Sequence, residues 1–261
     1  MITIMAIANK YKLLEKINSG EFGSIFKGEN IRTKELVAIK IEDVSSDTKM
    51  LKRETQIYQY LGKAYGIPQV KWYGTTEKFN YMVLPLYGES LVSKTFSLAE
   101  SLYIGRQMIK ILRYIHEKGL IHRDIKPDNF VFGGDESGIY IIDFGLCRKY
   151  IDDNNNHIEV KSGKNIIGTP NFISVNVHNG IEPSRRDDLI SVAYVLLYLI
   201  NGSLPWQKNS DLVSIKLQKM CVCDWSKMPE QIFNYIKYCT NLKFNESPNY
   251  EFLAKNLLFE L

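Results

Sequence analysis

From residue 11 onward, apolar and polar positions alternate over short runs, KLLEKI, SIFKGE, LVAIKIE, QVKWYGTT and FNYMVLPL, each broken by Gly, Asn or a charged turn. A period of two puts the apolar side chains on one face of a strand, so these runs predict an antiparallel sheet. Within them residues 47–61 (DTKMLKRETQIYQYL) change period. Met50, Leu51, Ile57, Tyr58 and Leu61 fall near helical spacing with the charges mostly opposite, which predicts one helix.

After Pro85 the periods lengthen. Ser97-Leu98-Ala99-Glu100 fits a capping box, in which the Ser and Glu side chains satisfy amides that the first helical turn leaves unpaired. A helix is predicted to start there and to carry its apolar face through Leu102, Met108, Ile109, Leu112 and Ile115 to a stop at Gly119. LIHRDI, NFVF and YIIDFG read as short strands around a polar loop, and from Asp187 the chain is mostly helical, punctuated by Gly202 and Pro205. The apolar run 189–200 has 12 residues, too few for a hydrocarbon core that needs about 20, and predicts a buried helix. Residues 152–156 (DDNNN) read as an unstructured loop tip. The whole is α+β: a small sheet-rich lobe with one helix over about 11–86, joined near Pro85 to Tyr87 to a larger, mainly helical lobe over 87–261, within a single domain 1–261.

Composition narrows the class. The chain has 261 residues, 45% hydrophobic and 12% aromatic, enough for a sizeable core, and a net charge of +4 that does not force nucleic-acid binding. The opening MITIMAIANKYK has no basic residue before its apolar stretch, which argues against a secretory leader. Cys147, Cys221, Cys223 and Cys239 form no disulfide framework, and Cys221-Val-Cys223 lacks a second pair at zinc spacing. The expectation is reduced thiols in a cytoplasmic or nuclear protein, not a secreted or membrane one.

Four short stretches carry chemistry. Gly20 and Gly23 lie in INSGEFGSI between two strand-like runs, at a hairpin tip that either folds over phosphates or is a plain turn. Lys40 is the only charge in Val37-Ala38-Ile39-Lys40. It is either a buried ammonium partnered by Glu54 of the lone helix or a surface lysine at a strand end. His122-Arg123-Asp124-Ile125-Lys126-Pro127-Asp128-Asn129 supplies a carboxylate to orient a hydroxyl nucleophile, a cation for the moving group and an amide oxygen for a metal, which phosphoryl transfer requires. Nineteen residues beyond Asp124, Asp143-Phe144-Gly145 places a carboxylate at a strand end before a turn. Asp143 and Asn129 together suit a hard cation such as Mg²⁺. Four such stretches in this order do not arise by accident.

They are the signatures of protein kinases. The chain resembles the casein kinase 1 family of Ser/Thr kinases from about residue 11 to 258, most specifically in HRDIKPDNFVFG, IIDFGLCRKY, GIEPSRRDDLISVAYVLLYLINGSLPWQ and residues 242–258. Ser174-Val175-Asn176 stands where most kinases have Ala-Pro-Glu, as in this family. The resemblance implies a two-lobed kinase fold, ATP and Mg²⁺ as cofactors, and a monomer acting on proteins with acidic or Ser/Thr-rich segments.

Position by position, the resemblance implies that Asp124 is the catalytic base and that Lys126 stabilises the moving phosphoryl group and, with Pro127, favours Ser/Thr. Asn129 and Asp143 hold Mg²⁺, Lys40 binds the α and β phosphates, and Glu54 fixes Lys40. The nucleotide is expected against Ile17, Ile25, Ala38 and Ile142, beneath the phosphate loop of Asn18, Ser19, Gly20 and Gly23. Leu84 takes the gatekeeper position, and Pro85, through its carbonyl, and Tyr87 bond the adenine. Asp188 anchors the catalytic loop, or complements a helix N-terminus.

Departures from the family pattern matter too. Asn18 replaces the first glycine of the phosphate loop, so weaker ATP binding is expected, and the alternative reading is a catalytically impaired ATP-binding scaffold. Asn171 stands where the family has an Arg that binds anionic substrate, which removes one arm of that site. Arg185, Arg186, Lys161 and Lys164 either draw acidic peptides or form a solvated, locally paired face. The sequence demands no activation-loop phosphosite, although Ser162 and Thr169 are present and Arg123 could pair with a phosphate. With the chain ending at Leu261 and no tail, activity free of tail-mediated autoinhibition is expected.

Overall fold

The structure is a computed structural model that describes residues 6–7, 9–20, 23–46, 49–134, 138–221 and 228–258. The opening stretch 1–5, Asp47 and Thr48 of the expected helix, Cys223 and the side chain of Cys221 lie outside the described residues. Contacts sort the chain into two units, one running to Gly88 and including Phe132–Gly145, the other comprising Glu89–Val131 and the chain from Leu146. Segment 132–145 was expected with the helical lobe, but its contacts lie elsewhere. Tyr140 stacks on Tyr87, Ile141 N–H donates to Gly66 O, and Gly88 N–H donates to Phe132 O.

In the first unit, strands β1 (Ala6–Ile7), β2 (Tyr11–Gly20), β3 (Gly23–Asn30) and β4 (Leu36–Asp43) precede helix α1 (Leu51–Leu61), and β5 (Trp72–Thr75) and β6 (Phe79–Pro85) follow it. The strands form one antiparallel sheet in the order β1-β2-β3-β4-β6-β5. Alternation divides β4 as predicted. Val37 and Ile39 point into a core with Ile7, Tyr11, Tyr81 and Val83, while Ala38 and Lys40 take the other face. Helix α1 begins at Leu51 rather than 47 because its cap comes from elsewhere. The buried Glu42 of β4 accepts the N–H groups of Met50 and Leu51 at 2.7 and 2.9 Å.

In the second unit the Ser97–Glu100 capping box forms and opens α2 (Leu98–Glu117), whose apolar face Leu102, Met108, Ile109, Leu112 and Ile115 is buried. Strand β7 (Leu120–Ile121) pairs with β10 (Arg148–Lys149); between them in sequence lie β8 (Phe130–Phe132) and β9 (Ile139–Ile141), the latter in the first unit. The runs LIHRDI and YIIDFG are shorter as strands than expected. They stop at Ile121 and Ile141 because Arg123 and Asp143 adopt positive φ, 71° and 65°, which no strand accommodates. Beyond α3 (Val175–His178), helix α4 (Arg185–Asn201) is buried along most of its length and packs on α2 and on α6 (Glu230–Asn241). Helices α5 (Leu212–Cys221) and α7 (Tyr250–Asn256) complete the unit. The 152–156 segment is an ordered turn rather than a loose tip: Ile151 and His157 bridge it, and Asp152 accepts the N–H groups of Asn154 and Asn156.

Candidate active site

In the first unit, β4 delivers Lys40 to the sheet face that α1 covers. Its ammonium lies 2.7 Å from the Glu54 carboxylate and 2.9 Å from Asp143 Oδ1. The surface-lysine reading of Lys40 is thereby excluded. Glu54 is 2% exposed, the exception to the charged outer face of α1. Burial by itself pulls the Lys40 ammonium down and pushes the Glu54 carboxyl up. The two carboxylates outweigh burial for Lys40, which is held above its usual value, so the pair is ionic. Asp143 sits at the turn where β9 ends, and two groups fix it. Its N–H donates to Tyr58 Oη at 3.1 Å, and its Oδ1 accepts Gly145 N–H at 3.3 Å. Tyr58, one turn after Glu54, also meets the Phe144 ring edge-on at 4.8 Å. The periodicity marked Tyr58 only as an apolar position, because its hydroxyl finds Asp143 across 85 residues of chain.

The strand register places the expected nucleotide residues. Asn18 pairs with Ile25, Ile25 with Lys40, and Ala38 with Leu84, which brings all five to one sheet face. Ile25, Ala38, Leu84, Pro85, Tyr87 and Ile142 are half-buried, whereas Ile17 is exposed. The phosphate loop is a hairpin closed by the Gly20–Gly23 pair. Gly23 has φ +117° and its missing Cβ would lie 2.2 Å from Ile41 O, so only glycine fits. Asn18 folds back on the loop, its Oδ1 accepting Ser19 N–H at 2.8 Å.

In the second unit, Asp124 is 7% exposed, and its carboxylate accepts three hydrogen bonds and forms one ion pair. Thr169 gives Oδ1 its N–H at 2.9 Å and its hydroxyl at 2.7 Å; Lys126 and Asn129 Nδ2 approach Oδ2 at 2.7 and 3.2 Å. Lys126 also donates to Thr169 Oγ1 at 3.0 Å. Asn129 Nδ2 donates again to Asp124 O at 2.9 Å, which leaves its amide oxygen as the end suited to a hard cation, the same donor chemistry as Asp143. Gly168, with φ +91°, lets Thr169 come this close, since a Cβ there would lie 2.5 Å from Arg123 O.

The Thr169 hydroxyl is engaged with both Asp124 and Lys126. Arg123 gives its Nε–H to Leu146 O at 2.6 Å. Arg185 and Arg186 are likewise committed. Arg185 donates to the carbonyls of Asn245 and Glu246 and stacks on Tyr150, and Arg186 donates to Leu242 O. Lys161 is exposed, and Lys164 lies 3.9 Å from the buried Glu182, which also pairs with Arg148 at 2.9 Å.

Asp188 is the anchor of the catalytic loop. Its carboxylate accepts the N–H groups of His122 and Arg123 at 2.7 and 2.8 Å and contacts His116 Nε2 at 3.0 Å. With Nε2 donating to Asp188, His116 Nδ1 accepts the Tyr250 hydroxyl at 2.7 Å. Burial works against the Asp188 charge, but these donors hold its carboxyl below the usual range. The neighbouring Asp187, not Asp188, serves the helix start: it accepts Ser184 N–H at 2.8 Å and the side chains of Ser174 and Asn176 at 2.6 and 3.1 Å. Ser174 and Asn176, which depart from the common kinase motif, are thus tied to α4.

Among the described residues no helix is long and apolar enough to cross a membrane, and Cys147 and Cys239 are buried free thiols. The fold has two lobes, an antiparallel sheet with α1 and a mainly helical part, and Lys40 and Glu54 form the ion pair typical of an active kinase. A model of the protein kinase domain matches residues 11–259, and the chain therefore belongs to the protein kinase domain family, a family of phosphotransferases that act on proteins.

Proposed function

We propose that the whole chain is one kinase domain that transfers the γ-phosphoryl group of ATP to Ser or Thr hydroxyls in proteins, in the manner of casein kinase 1. The observation that carries this reading is the Asp124 carboxylate, held by Thr169, Lys126 and Asn129 so that a single orientation is available to a substrate hydroxyl. In this reading Asp124 accepts the proton of the attacking hydroxyl, and Lys126 offsets the charge that spreads over the transferred oxygens. Lys40, kept charged and aimed by Glu54, binds the α and β phosphates. Ile17, Asn18, Ser19, Gly20, Gly23, Ile25, Ala38, Leu84, Pro85, Tyr87 and Ile142 contact the nucleotide. Asn129 and Asp143 hold Mg²⁺, which neutralises phosphate charge when bound.

Acidic substrates are drawn by Lys161 and Lys164 rather than by Arg185 and Arg186, whose donors serve backbone carbonyls. With Asn171 in place of a family arginine, a priming phosphate on the substrate gives no advantage. A second reading, an ATP-binding scaffold impaired in transfer, rests on Asn18 alone; every charged residue of the transfer machinery is present. The test is transfer from Mg-ATP to casein and to matched Ser, Thr, Tyr and pre-phosphorylated Ser peptides, beside Asp143→Asn. Expected are phosphoserine and phosphothreonine, equal rates with and without priming, and loss of transfer in the folded variant. Phosphotyrosine would overturn the acceptor assignment. Silence of the parent while ATP still raises its melting temperature would favour the scaffold.

A further inference from the structure

Helix α5 carries a buried lysine with no role in the machinery described so far. Lys219 is 3% exposed. Its Nζ donates to Pro170 O and to Ile173 O, each at 2.7 Å, and lies 3.2 Å from His178 Nε2. The ammonium also sits 4.9 and 5.4 Å from the ring centroids of Tyr194 and Trp206, and no carboxylate among the described residues pairs with it. Burial draws this amine down to about 7, while the two carbonyls and the aromatic faces favour its charged form. An apolar side chain would fill the same space without the cost of desolvating a charge. What it would not do is donate to two carbonyls at once.

Those carbonyls belong to the turn 169–173, four of whose carbonyl oxygens accept hydrogen bonds. Thr169 O accepts the N–H groups of Phe172 and Ile173 at 2.8 and 3.1 Å, and Asn171 O accepts the Trp206 indole N–H at 2.8 Å. Lys219 holds Pro170 O and Ile173 O. The turn begins with Thr169, which gives both its N–H and its hydroxyl to Asp124. We propose that Lys219 is a positioning residue for Asp124, acting through the 169–173 turn: its grip on Pro170 and Ile173 sets where Thr169 meets the carboxylate. The assignment of a kinetic consequence rests on the kinase reading above; the structural consequence does not.

The test uses Lys219→Met, which keeps length and removes the donors, and Trp206→Phe, which keeps an aromatic ring, removes the donor to Asn171 O and reduces the buried ring. Amide hydrogen exchange is read first, because it needs no activity. The expected result is exchange of Thr169, Phe172 and Ile173 faster by about tenfold or more in both variants, with the amides of α2 unchanged. Phosphate transfer to a Ser peptide is read second, per ATP-analogue site titrated. There kcat falls about tenfold in Lys219→Met, and less in Trp206→Phe, while KM for ATP stays within about twofold. Exchange that rises equally in α2 and the turn, or not at all, would reduce Lys219 to a core residue and overturn the proposal. So would a normal kcat per site. If Lys219→Met does not fold, Trp206→Phe decides by the same two readouts. A parent enzyme silent in transfer, with the exchange result as expected, would defeat the kinase reading and leave the positioning of the turn intact.

Discussion

Thr169 connects the catalytic loop to the segment that follows Gly168, and its hydroxyl is one of four groups that hold Asp124. Thr169→Val removes that hydroxyl at nearly constant volume and leaves Lys126 without one of its acceptors. A lost hydrogen bond to a charged group is worth about 1.5–3 kcal/mol, so kcat is expected to fall at least tenfold, with Thr169→Ser close to the parent. Steady-state kinetics on a Ser peptide check this; equal rates for the Val and Ser variants would show that the hydroxyl is dispensable. At this scale the legible residues were those out of place in their local pattern. Lys40 is a charge in an apolar strand, and Asp124, Asn129 and Asp143 stand in short polar stretches between apolar runs. Thr169, Tyr58, His116 and Lys219 were not legible as site residues. Each looks ordinary in its own segment and finds its partner from 45 or more residues away.

Elements show the same division between local and distant causes. The start of α2 was legible because the capping box lies within four residues, Ser97 to Glu100. The start of α1 was not, since Glu42 caps it from a neighbouring strand. At α4 the two adjacent acids divide two tasks, Asp187 serving the helix start and Asp188 the catalytic loop, which periodicity alone left open. The Asp188 contribution has a definite pH signature. Its folded carboxyl is held below the usual carboxylate range, so the stability it gives is fully present above the ordinary pKa of about 3.9. It is lost as pH falls through the lower folded value. In urea unfolding, the margin of the parent over Asp188→Asn should therefore be constant from neutral pH down to about 4 and shrink below. A margin that grows on acidification would contradict the assignment.

Over the whole molecule, the change from a period of two to helical periods near Pro85 marked the passage from sheet to helices, and the structure divides close by, after Gly88. What the pattern could not express is that residues 132–145 return to the first unit, because that grouping depends on contacts such as Tyr87 with Tyr140. Each unit contributes its own fixed cluster: Lys40, Glu54 and Asp143 in one, Asp124, Lys126 and Asn129 in the other. In the reading proposed above, Asp124 is the base of the phosphoryl transfer. Its most direct test is transfer from Mg-ATP to a Ser peptide by the parent and by Asp124→Asn, each also assayed for the rise in melting temperature that Mg-ATP causes. Transfer by the parent is expected, with a loss of about 10²–10⁴-fold in the variant and the same rise in melting temperature for both. Undiminished transfer by Asp124→Asn, or a parent that binds Mg-ATP and transfers nothing, would contradict it.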